Sequence, residues 1–311
     1  MGRGYHRVLD ALKELRAERD ELGRVDEIPI DLSDFEDRKN TAGTGDYVFS
    51  GVPRDVAVKF PTSSNVYPAL DCGAELDRIL LLPDTHSPFH DRWAWDAAMS
   101  FARKWRPTTL VHVGDFADFY SVSDHSKDPS RAHNLLEECK TTKALRSELD
   151  DLGASRKFFC AGNHEYRLDR YVRDHAPALI GAVSIDQLLG LTEHGWVYSP
   201  YGKHIRIGDL HCTHDVGKCG KGAISQTAIA VGHNVVIGHS HRLGCEYFGT
   251  VLGERYVSAS LGCLLDIAAA DYKSEIEKAP WTHGFGTALM TKEGNFELQL
   301  HPIVNGRVIG A

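Results

Sequence analysis

The stretch FFCAGNHEYRLDRYV, residues 158–172, decides the reading of this chain. An apolar run closes on Cys160-Ala161-Gly162, and Asn163, His164 and Glu165 then follow in a row. Phe-Phe-Cys before a glycine reads as a buried strand, and the charged, 3.6-periodic text after Glu165 reads as a helix. A strand ending on an amide, an imidazole and a carboxylate costs stability unless something uses those groups.

The same pattern recurs on both sides of it. DRILLLPDTHS, from Asp77, is a buried strand ending in Asp84-Thr85-His86, and RWAWDAAMSFARKW after it has helical spacing. TTLVHVGDF is a second strand, ending in Gly114-Asp115, and residues 132–152 read as a long helix. This β-α-β-α-β-α series predicts a sheet covered by helices. The second half is strand-rich: HIRIGDLHCTH, NVVIGHSH, ERYVSASLG, GFGTALMTKEG and NFELQLHPI, with AISQTAIAV its clearest helix. Two stacked sheets are expected. His214-Asp215 and Gly238-His239-Ser240-His241 close two of these later strands.

In open α/β sheets, sites form outside the carboxyl ends of the strands, so the five polar tips are expected to converge. Asp84 and His86, like His239 and His241, are two apart and point the same way in extended chain. Carboxylate, imidazole and one amide oxygen suit Mn, Fe or Zn better than Ca. Seven such side chains exceed the needs of one ion. Two ions sharing a carboxylate would use them. Taken singly, a strand-end Asp or His more often caps a helix or fills a turn. Asp84-Thr85 could cap the helix near 92 in that way. Five tips in order outweigh that reading. His211 shares a strand with His214, and His214 is preferred because it stands last before the loop.

The pattern D-x-H, G-D, G-N-H-E, H and G-H-x-H, carried by the residues just quoted, resembles the calcineurin-like metallophosphoesterase superfamily. The resemblance implies a four-layer α/β/β/α sandwich of two mixed sheets flanked by helices. It implies one metal on Asp84, His86, Asp115 and His241, and a second on Asp115, Asn163, His214 and His239, with Asp115 bridging. It also implies a bridging hydroxide that attacks phosphorus in line, with catalytic His164 protonating the leaving group and Glu165 supporting the His164 ring. Manganese is the first expectation for the metal, with Fe, Zn, Ni or Co compatible. The Ser/Thr phosphatases and the diadenosine-tetraphosphate hydrolases of the superfamily carry Arg in G-D-x-x-D-R-G. Here the text is GDFADFYS, with Phe119 in that place. The chain is more similar to stand-alone bacterial and phage phosphoesterases, including those that resemble DNA-repair exonucleases. Phosphodiesterase or nuclease-type activity on small or single-stranded substrates is expected. A phosphomonoesterase acting on a nucleotide, a nucleic-acid end or a protein is the alternative. An inactive scaffold is disfavoured because His164 and every ligand are kept.

Substrate contacts are expected from Lys218 and Lys221 in the glycine-rich loop, from Arg242 after the last ligand, and from His125. Phe119, Tyr120 and Asp124 are weighed evenly between pocket and packing. Arg167, Arg170 and Arg173 are read as a solvated helix face. LLDIAAADY is read as a packing segment.

Composition sets outer limits. The 311 residues carry a formal charge of −8, which disfavours a broad duplex surface. Seven scattered cysteines without a CxxC pair predict reduced thiols. No run approaches a membrane helix, and the charged N-terminus lacks a signal-like apolar segment, so a cytoplasmic protein is expected. Residues 5–22 read as a helix, packed on its own domain in preference to serving a homodimer, and an acidic linker runs to 45. Residues 46–75 lead into a phosphoesterase domain over 76–303, and 304–311 form a tail.

Overall fold

The computed structural model describes residues 76–124, 127–128, 134–270 and 273–309. The expected N-terminal helix, linker and extension lie outside the described residues, as does His125.

The first sheet is built around β1 (Asp77–Leu82), β2 (Thr109–His112), β3 (Arg156–Cys160) and β4 (Trp196–Ser199), which run parallel in that order. Between them lie α1 (Arg92–Trp105), α2 (Leu135–Asp150), α3 (Glu165–His175) and α4 (Ile185–Leu189). The second sheet has the order β5-β6-β7-β9-β8, from β5 (Ile205–Ile207), β6 (Leu210–Cys212), β7 (Val235–Ile237), β8 (Leu243–Gly249) and β9 (Arg255–Leu261). HIRIGDLHCTH is therefore not one strand but a tight antiparallel pair, β5 and β6, turning at Gly208-Asp209. After α6 (Glu275–Lys278), β10 (Gly284–Met290) and β11 (Phe296–Val304) return to the first sheet, β10 antiparallel to β1 and β11 antiparallel to β10. The division into sheets thus does not follow the two halves of the chain. Within the stretch expected to be a tail, β12 (Arg307–Val308) pairs with β11 and ends that sheet.

β1 shows why the layers form. Its Ile79-Leu80-Leu81-Leu82 run is buried on both faces, as a central strand of a covered sheet must be. Leu80 and Leu82 join Trp95, Met99, Leu149 and Phe159 in the core under the helices. Ile79 and Leu81 join Val111, Cys212, Val236 and Leu261 between the two sheets. On the outer face of the second sheet, α5 (Ala223–Val231) packs Ala223 on Val235 and Ile237. The result is a helix-sheet-sheet-helix sandwich of two mixed sheets. The helix after β1 is capped by Asp91, whose carboxylate accepts the Ala94 N–H, so Asp84-Thr85 are not needed as a cap. Leu264 and Leu265 of the alanine-rich stretch are buried, and the Leu264 N–H donates to the Asp84 carbonyl. Every described cysteine is a free thiol. No described helix is long and apolar enough to cross a membrane.

Leu81 lies fully buried between the sheets, three residues before Asp84. Leu81→Ala is expected to lower unfolding free energy by about 2–5 kcal/mol, the usual range for a core leucine truncated to alanine. Urea denaturation measures it, and an unchanged midpoint would contradict the two-sided packing of β1.

Candidate metal centre

Parallel β1, β2 and β3 deliver their carboxyl ends to one edge of the first sheet. β6 and β7, parallel to each other, deliver theirs to the second. The tips are stitched together by backbone bonds. His86 N–H donates to the Asp115 carbonyl, Val113 N–H to that of Leu82, and Gly238 N–H to that of His214.

One carboxylate holds the β2 and β3 tips in register. Glu165 opens α3 and is fully buried. Its Oε1 accepts the N–H groups of Phe116 and Ala117, and its Oε2 those of Asp115 and Gly162, all at 2.7–2.9 Å. These four bonds fill its lone-pair sites, so Glu165 is spent on the two loops. The His164 ring is instead held by Asp118, whose Oδ2 lies 3.1 Å from His164 Nδ1. The same oxygen lies 3.0 Å from His86 Nδ1. Burial and the Asp115 carboxylate push Glu165 up to about 7, against the pull of the backbone donors.

The backbone at the tips is unusual. Asp84, His86, Asp115, His239 and His241 all have φ between 26° and 60°, the left-handed region that side chains avoid. Each such residue costs on the order of 1–3 kcal/mol, and such strain gathers at functional sites. Gly114 reaches φ 101°, open to glycine alone. Gly162 serves differently, because a Cβ there would overlap Asp115 Oδ1.

The side chains so placed form two acceptor clusters. Asp84, His86 and His241 bring their ligand atoms together in one, and Asp115, His214 and His239 in the other. Asn163 belongs with the second, its Oδ1 lying 2.9 Å from His214 Nε2 and 2.8 Å from His239 Nδ1. Asp115 faces both. Its Oδ1 accepts the His164 N–H, and its Oδ2 lies 3.2 Å from His214 Nε2 and 3.7 Å from His86 Nε2.

Hydrogen-bond accounting tests whether metal ions fit. His214 Nδ1 meets the Val113 carbonyl at 2.9 Å and must donate there. In the neutral ring that ligation requires, its Nε2 is a lone pair beside two oxygens, those of Asp115 and Asn163. His86 spends Nδ1 on Asp118, which leaves Nε2 facing His241 Nε2 at 3.2 Å. His241 Nδ1 is buried without a partner. Imidazole nitrogens crowded this closely on carboxylate and amide oxygens suit cations, and two divalent ions fit the two clusters. Burial, followed by the His164 charge, lowers His86 to about 4, and burial lowers His241 to about 3, which keeps both rings neutral as ligation requires. Burial also opposes charge on His214, but the Asp115 carboxylate outweighs it and raises that ring to about 10. Burial, partly offset by His214, raises Asp84 to about 6.

The clusters lie at the floor of a cleft of about 870 Å³. Its walls carry Lys221, Arg242, Lys273 and Arg167, together with Trp281, whose ring meets that of His241 edge-on at 4.2 Å. Lys221 and Arg242 thus stand where the sequence suggested, whereas Lys218 is not among the lining residues. Phe119 and Tyr120 are buried packing residues, and exposed Asp124 pairs with Arg170. Arg167, expected on a wet helix face, instead turns inward onto Asp118 and His164. Asp118 was overlooked, although GDFAD placed it three residues after Asp115. Buried His112 was also missed; its Nε2 lies 3.0 Å from the Thr85 hydroxyl and steadies the β1 tip.

Residues 77–256 match the model of the calcineurin-like phosphoesterases. The gene 54 protein of Mycobacterium phage D29 is 29% identical over 252 residues, spanning 74% of this chain and 95% of that protein. Its counterpart in Mycobacterium phage L5 is 28% identical over 257 residues, with the same coverage of each. Among solved structures, a dimetal phosphatase from Danio rerio aligns with 73% of this chain and 96% of its own, at 13% identity and a TM-score of 0.39.

Two outcomes test the centre. Gly162→Ala is expected to weaken manganese binding at least about tenfold, or about 1.4 kcal/mol, because the added Cβ must displace the Asp115 carboxylate. Calorimetric titration measures this, with circular dichroism confirming the fold. Because protons and metal compete for Asp84 and His214, both raised, affinity should fall steadily between about pH 8 and pH 5. Affinity that is flat across that range would contradict ligation by this pair.

Proposed function

The chain belongs to the calcineurin-like phosphoesterase family, whose members are metal-dependent phosphoester hydrolases, and from that premise we propose that it cleaves phosphodiester bonds in nucleotides or single-stranded nucleic acid. The observation that carries the chemistry is the meeting of two acceptor clusters at Asp115 Oδ2 beneath an open cleft. We assign Asp84, His86, Asp115 and His241 to one ion, and Asp115, Asn163, His214 and His239 to the other. Manganese suits this mixed nitrogen and oxygen donor set. When bound, such a pair of ions supplies Lewis-acid neutralisation of phosphoryl oxygens and lowers the pKa of the attacking water.

The chain's own residues do the rest. The Asp118 carboxylate fixes the His164 ring through Nδ1 and leaves Nε2 on the cleft side, 3.8 Å from Asp115 Oδ2. Burial opposes charge on His164, but Asp115 and Asp118 outweigh it and raise the pKa. The two carboxylates thereby favour the protonated ring. In-line attack breaks the bond from phosphorus to the leaving oxygen, and that oxygen takes the proton from His164. Glu165 keeps Asp115 and His164 at their separation by locking the loops that bear them.

The cleft walls support the substrate class. Lys221 and Arg242 add positive charge to the walls of a chain that is acidic as a whole, while Lys273 pairs with Glu277 of the same wall, so attraction for phosphate is local. Trp281 offers an aromatic face beside the ligand His241, and aromatic stacking with flanking positive charge is how single strands are held without sequence preference.

Rates with manganese-loaded protein decide this. Bis-p-nitrophenyl phosphate and a single-stranded oligonucleotide are expected to turn over faster than p-nitrophenyl phosphate. Preference for the monoester would replace the proposal with a phosphomonoesterase, and inactivity on all three would point to a scaffold. His164→Ala should keep its metal, read by elemental analysis, while losing about 10²–10⁴-fold in turnover, the usual range for a general acid. Loss of metal in that variant would make His164 a ligand.

A further inference from the structure

Three arginines follow the β3 tip at equal spacing, but they meet different surroundings. Arg170 is exposed and pairs with Asp124, and Arg173 is exposed and donates to the Tyr166 hydroxyl at 2.6 Å. Arg167 lies in the first turn of α3, its side chain 13% exposed. Its Nη1 donates to the carbonyl and to the Oδ1 of Asp118, at 3.0 and 3.1 Å, and its Nη2 lies 2.9 Å from His164 Nε2.

A guanidinium carries five N–H donors. The two on Nη1 are spent on Asp118, and one on Nη2 is spent on His164. The Nε donor and the second Nη2 donor make no hydrogen bond among the described residues. The guanidinium is half-buried, so these donors face the cleft and are available to an anionic ligand there. Arg167 also lines the cleft together with Asp115, Asn163, His164, His239 and His241. It is thus anchored from behind by a carboxylate and open toward the floor of the cleft.

We propose that Arg167 is the residue that grips the substrate phosphoryl group. A non-bridging oxygen takes the Arg167 donors, including the one now resting on His164 Nε2. His164 Nε2, which accepts from Arg167 in this arrangement, is thereby released to take up a proton from solvent and pass it to the leaving oxygen once a phosphoryl group is in place. Asp118 holds both side chains, so the grip and the proton donor are positioned by a single carboxylate. Arg242 and Lys221, at the cleft walls, then contact the remainder of the substrate. The inference rests on the reading of the cleft as a phosphoester site.

The test uses manganese-loaded wild type, Arg167→Ala, Arg167→Lys and Arg242→Ala. Inorganic phosphate is titrated into each by calorimetry, and KM and kcat are measured with p-nitrophenyl phosphate and its bis ester. Arg167→Ala is expected to bind phosphate about 10–100-fold more weakly, the scale of a lost charge-assisted hydrogen-bond pair. Arg167→Lys should recover part of this, because it restores the charge without the fork. KM should rise more for the dianionic monoester than for the monoanionic diester. Melting temperature and manganese content verify that the variants are folded. If Arg167→Ala fails that check, Arg167→Lys decides, with wild-type phosphate affinity and an unchanged KM overturning the proposal and weakening supporting it. Wild-type phosphate affinity in folded Arg167→Ala also overturns it, as does a larger loss in Arg242→Ala. Failure of wild type itself to bind phosphate would overturn the reading of the cleft instead.

Discussion

Four backbone N–H groups converge on the carboxylate of Glu165, and the site depends on that convergence. The donors come from two loops, 115–117 after β2 and Gly162 after β3. Neither loop is regular structure, and the first holds Asp115 at positive φ. A buried carboxylate that accepts four amides ties them more firmly than side-chain packing would, because leaving those amides unpaired in the interior costs on the order of 1–3 kcal/mol each. Asp115 and His164 lie on opposite sides of this tie. Their relative placement, and with it the distance between shared ligand and proton donor, follows from one side chain that touches no substrate.

Strain and electrostatics at the tips are two faces of one arrangement. Five candidate ligands sit at positive φ, and their nitrogen and oxygen atoms crowd together. Both features oppose folding of the bare chain. The sandwich below, with β1 buried on both faces, fixes the tips in spite of them. A cation at each cluster turns repulsion into attraction, so ion binding and the stability of the tips are linked.

The clustering of these side chains was legible because each candidate ligand stands at the end of an apolar run, and a polar group there has few other uses. The sequence disclosed the residues behind the ligands poorly. Asp118 lies in a loop whose composition says nothing of direction; its role appears only when the fold brings His86 and His164 to the same oxygen. Arg167, Arg170 and Arg173 are alike in spacing and charge, and only nearness to the β3 tip turns the first inward. β8 has an exposed, mixed pattern, since an edge strand buries little, and the hairpin of β5 and β6 hid within one continuous apolar alternation. The return of β10 to pair with β1 is a long-range choice that no local periodicity encodes.

The division of labour across the cleft follows from these placements. The floor is made of rigid strand tips, locked by Glu165 and by backbone bonds between adjacent tips. The walls come from the glycine-rich segment around Lys221, from Arg242 beyond β7, and from the α6 region that bears Lys273 and Trp281. Chemistry that requires atoms fixed to fractions of an ångström is assigned to the floor, and recognition that tolerates adjustment to the walls. Arg167 belongs to the floor by its anchoring and to the walls by its charge. Under the proposed reading, a phosphoryl group drawn by the basic walls would meet that guanidinium beside His164, so that one carboxylate, Asp118, would bear on both capture and cleavage. An acidic protein would in this way hold a polyanion at one point while repelling it elsewhere, which is the ground for proposing short or single-stranded substrates over long duplex.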